Sequence, residues 1–183
     1  MRSPFAMLLL AVFIALPSTG YAKAPMGYLL MCLQYPQECR SEGASSVEID
    51  NVIFEKISAV NRFVNETMKP QPDPKDKQGK EIDTWKPNTT IGDCEDYVLA
   101  KRKALLRIGI PTAAMRIAAV KTRSGEGHAL LIVHTSRGKL VLDLLTQKIR
   151  LLEDIPYEIV AIQTVNPYEW TLSGEPEIKP EGL

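Results

Sequence analysis

Apolar residues fall into two different periods along this chain. Ile49, Val52, Ile53, Ile57, Val60, Val64 and Met68 recur every three or four positions and share one helical face, with Ser45 or Ser46 available as its cap and Glu48 in the first turn. After Cys94, the residues Tyr97, Val98, Leu99, Leu105, Leu106 and Ile108 keep near-helical spacing until Gly109-Ile110-Pro111 stops it, which makes a helix of about four turns. Beyond that point the period drops to two. Residues 112–121, 128–135, 139–144, 148–152 and 157–165 read as five short strands, with Arg137-Gly138 as a hairpin turn and Ser124-Gly125-Glu126-Gly127 as a loop. Helices first and an antiparallel sheet after them predict an α+β fold.

Between the two helices periodicity vanishes. Pro70, Pro72, Pro74, Gly79 and Pro87 forbid a regular element over 69–91, and so long a loop in a small domain points to function or disorder. It delivers the chain to Cys94, so its second half, with Trp85, is expected to line a cleft; Trp85 reads equally well as a packing residue. Asn61 and Asn65 lie four apart on one side of the first helix and read as solvated or as capping a neighbouring loop.

The ends are different in kind. Arg2, the apolar run 5–16, the breaker Pro17-Ser18-Thr19-Gly20 and the small residues of Gly20-Tyr21-Ala22 read as a secretory signal over 1–22, with a second possible cut after Ala24. The run is shorter than the roughly 20 apolar residues of a membrane span, so an uncleaved anchor is the lesser alternative and no stable membrane insertion is expected after cleavage. Residues 23–172 are then one domain, and 173–183, rich in Gly, Pro and Glu, a flexible tail. The formal net charge is zero with no basic stripe, which argues against a nucleic-acid partner. In an oxidising compartment Cys32 and Cys39, flanking Tyr35-Pro36, are plausible disulfide partners, and Cys94 is left over.

That remaining cysteine stands in Gly92-Asp93-Cys94-Glu95-Asp96, where the loop becomes a helix. Free N–H groups and the positive end of the helix dipole favour a thiolate there and offer donors to an oxyanion. Three neighbouring carboxylates push the other way, a conflict that a bound hard cation would resolve. A nucleophilic cysteine needs a base, and of the two histidines His128 opens a strand after a glycine-containing loop, whereas His134 lies near the hairpin turn. Asp143, in the apolar run Leu140-Val141-Leu142-Asp143-Leu144-Leu145, needs a partner; His128 is the first candidate and an arginine such as Arg116 the second. A register counted from Arg137-Gly138 sets Asp143 opposite Ile132, on the face of His128 but several residues along, so twist, a bulge or a longer loop must close the gap.

Taken together, Gly92-Asp93-Cys94-Glu95-Asp96-Tyr97, Gly127-His128-Ala129 and Val141-Leu142-Asp143 resemble the bacterial transglutaminase-like cysteine proteinases, a group that includes the LapG-type periplasmic proteases of biofilm adhesins. The resemblance runs from about residue 32 to 170. It implies a papain-like, transglutaminase-like fold, a triad of Cys94, His128 and Asp143, and calcium held by Asp93, Glu95 and Asp96, oxygen ligands that suit this ion. The oxyanion would be met by the Cys94 N–H and a donor from the 69–91 loop, with Trp85 as the substrate-side candidate. A protein substrate and a periplasmic location follow, with an inner-membrane regulatory protein as a further partner. Leu144 stands where family members commonly have asparagine, and Lys86-Pro87-Asn88-Thr89 lacks an acid often found there. Two other readings stay open: an acyltransferase with the same triad, and a non-catalytic calcium-dependent binding module.

Overall fold

The computed structural model describes residues 21–172. Residues 1–20 of the expected signal and the whole expected tail, 173–183, lie outside this range. In chain order the elements are β1 (Tyr21–Lys23), α1 (Met26–Gln34), α2 (Asn51–Thr67), β2 (Lys69–Pro70), β3 (Ile91–Gly92), α3 (Cys94–Arg107), β4 (Met115–Lys121), β5 (Gly127–Thr135), β6 (Gly138–Leu142), β7 (Arg150–Leu151), β8 (Glu158–Gln163) and β9 (Glu169–Leu172). Seven strands form one antiparallel sheet in the order β1-β9-β8-β4-β5-β6-β7, and β2 and β3 make a small parallel pair beside it. The expected α+β class is what the chain adopts.

Alternate residues of the central strands face different cores. Leu131 and Val133 of β5 and Leu140 and Leu142 of β6 join Ile57 of α2 and Leu99 and Leu105 of α3 in the main core, together with Tyr28, Trp85 and Trp170. Leu130, Ile132 and Val141 point to the other face, which Leu152, Ile155, Tyr157 and Ile159 cover. With both faces buried, β5 reads as a continuous apolar run instead of an alternating one.

The first long helix begins later than its apolar pattern suggests. Its cap is Asp50, which accepts the Ile53 N–H at 2.7 Å, and not Ser45 or Ser46. The stretch before it is engaged elsewhere: the Val47 N–H donates to the His134 carbonyl and the Ser136 N–H to the Val47 carbonyl, a strand-like bridge that residues 45–48 cannot make as a helical turn. Ile57, Val64 and Met68 are buried as expected, whereas Val52 is exposed. Cys32 lies on α1 and is bonded to Cys39, with Cα atoms 5.6 Å apart. Arg102 of α3 donates to the carbonyls of Glu38 and Arg40 at 2.7 and 2.8 Å, tying the cystine loop to the helix that starts at Cys94. Strands β1 and β9, which pair with each other, went unforeseen because each is too short to show a period. Tyr21 and Ala22, on the far side of the expected cut, occupy two of the three β1 positions.

Ile57 of α2 is fully buried in the main core, and replacing it by alanine removes three buried carbons from that packing. Ile57→Ala is expected to lower unfolding stability by about 2–5 kcal/mol, measured as a lower urea midpoint at unchanged slope.

Candidate active site

The β5–β6 hairpin sets the geometry. Thr135 pairs with Gly138, so the turn is Ser136-Arg137 and not Arg137-Gly138. Gly138 has φ +107, a conformation that suits glycine, and the Thr135 hydroxyl donates to the Gly138 carbonyl while receiving the Arg137 N–H. This changes the register by two residues. Leu131 faces Leu142, and Asp143 follows one step past that pair, not opposite Ile132. The shift brings Asp143, the first residue after β6, two positions nearer to His128, whose Nε2 lies 2.7 Å from Asp143 Oδ1 with both side chains buried. Arg116, the rival partner, donates to the carbonyls of Ala113 and Met115.

Asp143 has three donors. Besides His128 it receives the Leu145 N–H at Oδ1, 2.9 Å, and the Tyr157 hydroxyl at Oδ2, 2.7 Å. Burial alone would raise its pKa, but these hydrogen bonds outweigh burial and hold the carboxyl below its ordinary value. Tyr157 also sets its ring edge-on to His128, centroids 5.8 Å apart. Asn65 Nδ2 donates to the Asp143 carbonyl and Asn61 Nδ2 to that of Thr146, so both asparagines fasten the loop that carries the aspartate. With Nε2 engaged, Nδ1 is the ring nitrogen of His128 left to face a second group.

Cys94 opens α3 on the wall of a cleft of about 640 Å³, lined also by His128, Ala129, Trp85 and Trp170. The 69–91 loop reaches this cleft with both halves. Its ends are held by β2 and β3, and Pro70, Pro72, Asp73, Glu81, Asp83 and Trp85 contribute to the wall. Trp85 fulfils both of its readings. It is buried edge-to-face on Tyr28, 5.2 Å between centroids, and still borders the cleft. Its indole N–H, however, donates to Asp83 Oδ1 at 2.7 Å, so it is not free to meet an oxyanion. The other oxygen of Asp83 accepts the Gly27 N–H at the start of α1, 2.9 Å.

The acids beside Cys94 part company. Asp96 is fully buried and turned toward the loop, where it accepts the Lys86 N–H at 2.6 Å and lies 3.3 Å from Lys86 Nζ, which also bonds Asp73 at 2.8 Å. A Cβ on Gly92 would overlap this carboxylate. Of the three acids expected to hold calcium, Asp93, Glu95 and Asp96, the last is engaged by a lysine ammonium in this structure. Glu95 Oε2 takes the Cys94 thiol hydrogen at 2.9 Å, and Asp93 Oδ1 is buried without a hydrogen-bond partner. Among the described residues no three His, Cys, Asp or Glu side chains are gathered around one point as a metal cage. Asp93 and Glu95 alone fit a hard cation, one by an orphaned oxygen and the other by its place beside the sulfur.

Electrostatics follow from this crowding. Burial pushes the Cys94 thiol well above its ordinary range, Glu95 and Asp93 add to the rise, and the Ala129 N–H opposes it. Burial first, and the acids after it, thus outweigh the preference of the helix start for a thiolate. Burial and the charges of Glu95 and Asp73 raise Asp93 to about 8. Asp73, Asp83, Lys86 and Tyr157 are the residues of this site that sequence reading missed. The first three lie in an aperiodic loop, and Tyr157 reads as an ordinary strand residue.

The profile of the family described as bacterial transglutaminase-like cysteine proteinase matches residues 18–176. Among solved structures, calcium-bound LapG of Legionella pneumophila superposes with a TM-score of 0.57 at 23% identity, covering 74% of this chain and 77% of that one. A second LapG structure from the same organism gives 0.53 at 26% identity over 67% and 70%. An EGTA-treated form gives 0.52 at 23% over 71% and 74%. No curated protein matches the chain.

A carboxyl protonated in the fold and ionised in the unfolded chain costs stability as pH rises. In chelating buffer, folded Asp93 retains its proton up to about 8, whereas the unfolded side chain loses it near 4. The melting temperature should therefore fall as pH rises through that window. Asp93→Asn is expected to flatten the fall and to melt higher than the wild type at pH 8; identical pH profiles by calorimetry would refute this.

Proposed function

The chain belongs to the bacterial transglutaminase-like cysteine proteinases, and from that membership we propose that it is a periplasmic, calcium-assisted endopeptidase whose triad is Cys94, His128 and Asp143. The observation that carries this reading is the 2.7 Å contact of His128 Nε2 with Asp143 Oδ1 beside the cleft that Cys94 opens onto. Asp143 accepts the Nε2 hydrogen and fixes the tautomer, which leaves Nδ1 as the base. His128 takes the thiol proton, Cys94 Sγ attacks a peptide carbonyl, and the amine departs with the proton that His128 returns. Water activated by the same ring then frees the acid from the thioester. The Cys94 N–H at the helix start supports the oxyanion. Trp85 shapes the substrate wall without donating.

Asp93 and Glu95 would hold calcium, whose charge offsets the carboxylates that keep the thiol protonated. Asp96 supports the site indirectly by locking the loop through Lys86. The substrate class we favour is a surface adhesin, by likeness to the family's adhesin proteases, and the expected export signal supports a periplasmic site of action.

The test incubates the 23–183 protein with an outer-surface protein fraction, in calcium or in EGTA, and maps new N-termini by mass spectrometry. Cys94→Ala should abolish cleavage, and Asp143→Asn should reduce it by about 10²- to 10⁴-fold. Cleavage by Cys94→Ala at the wild-type rate would overturn the assignment. Products carrying an added amine in place of water would mean acyl transfer. Calcium should speed iodoacetamide labelling of Cys94, and Asp93→Asn should weaken that response.

A further inference from the structure

The loop between β4 and β5 borders two cavities. On one side Lys121, Gly125 and Gly127 reach the cleft of Cys94. On the other, Thr122, Arg123 and Ser124 join Arg150 of β7 and Tyr157 around a second cavity of about 490 Å³, which the proposed mechanism does not use. Two guanidinium groups thus border one space, and like charges gathered this way repel each other unless something negative lies between them.

The fold provides no such partner among the described residues. Its ion pairs involve Arg40, Lys86 and His128, and neither Arg123 nor Arg150 takes part in one. No carboxylate of the described residues lines the cavity. The Nε–H of Arg150 is enclosed and meets no acceptor, whereas the buried Arg102 spends its guanidinium on the carbonyls of Glu38 and Arg40. A buried donor left unsatisfied is unfavourable, and native proteins contain few of them. The loop that carries Arg123 is also well ordered. Gly125 has φ +86, its N–H donates to the Thr122 carbonyl, and the Thr122 N–H donates to the Glu126 carbonyl. The Ser124 hydroxyl lies 2.8 Å from that of Thr122 and donates to Glu126 Oε2 at 3.0 Å, so the loop's own acid is engaged by a hydroxyl and by neither arginine.

We propose that this cavity is a binding site for an oxyanion group, a carboxylate or a phosphate, held by the guanidinium groups of Arg123 and Arg150. The planar fork of arginine matches both groups. Tyr157, which borders the cavity, is also the residue whose hydroxyl donates to Asp143 Oδ2 at 2.7 Å. A bound anion therefore lies one side chain away from the aspartate of the triad, outside the cleft that Cys94 opens onto. That placement beside a triad rests on the proteolytic reading; the binding does not. Acidic side chains of a protein and free inorganic phosphate offer the same chemistry to the two arginines.

The test is an NMR titration of the isotopically labelled protein in calcium-free buffer, at constant ionic strength made up with chloride. Inorganic phosphate is added in one series and acetyl-Glu-Glu-amide in another. Saturable shifts are expected at the amides of residues 122–124, at the Arg150 Nε–H and at the Tyr157 ring, and Arg150→Gln should weaken binding by about 10- to 100-fold. Arg123 is exposed, so Arg123→Gln leaves the core intact; it should weaken binding as well and serves if the Arg150 variant fails to fold. Tighter binding of the peptide identifies acidic side chains of a protein as the occupant, and tighter binding of phosphate a free anion; both support the site. Shifts that stay linear in both series, or an affinity unchanged in Arg123→Gln, overturn the proposal. No cleavage is involved, so failure of the site is distinguishable from failure of the protease assignment.

Discussion

A carboxylate buried behind a histidine is tolerable only if its lone pairs are filled, and much of this fold serves to fill those of Asp143. The imidazole, a backbone N–H and a phenol hydroxyl reach its two oxygens from β5, from its own loop and from the segment before β8. Two asparagines of α2 then fasten the loop by its carbonyls. Each of these groups is positioned by a different element. The sheet, the long helix and the cover on the second face are therefore joined at one side chain, and its orientation of His128 inherits their rigidity.

The nucleophile's surroundings follow the opposite logic. Around Asp143 negative charge is matched, and around Cys94 it is in excess. The chain neutralises one of the flanking acids itself, by running Lys86 across Asp96 and Asp73, and leaves Asp93 and Glu95 without such a partner. Burial and this excess of negative charge together hold the thiol above its ordinary range. The helix dipole, worth about half a charge, is outweighed here by burial and two carboxylates.

How far the sequence could be read depended on whether a residue's job leaves a period. The helix after Cys94 and the central strands have strong apolar repeats, and both were legible, as was the pairing of Cys32 with Cys39. The short edge strands and the cap at Asp50 have no repeat to detect. The hairpin register was misread because Gly138 looked like a turn residue, when its positive φ instead begins a strand. Asp73, Asp83 and Lys86 serve the site through contacts across an aperiodic loop, and only the folded chain brings them together. The different surroundings of the acids flanking Cys94 were likewise hidden: on a helix start neighbouring side chains diverge, and Asp96 turns inward while Glu95 stays beside the sulfur.

The order of the parts along the chain has a consequence for when activity can begin. Cys94 is made well before His128 and Asp143, and Tyr157 comes later still, so the centre closes only through contacts distant in sequence. Such contacts form late, after most of the loop entropy has been lost. A chain still emerging from the ribosome holds a cysteine but no oriented base. The order of these parts along the chain thus makes the oriented base one of the last features the fold can assemble.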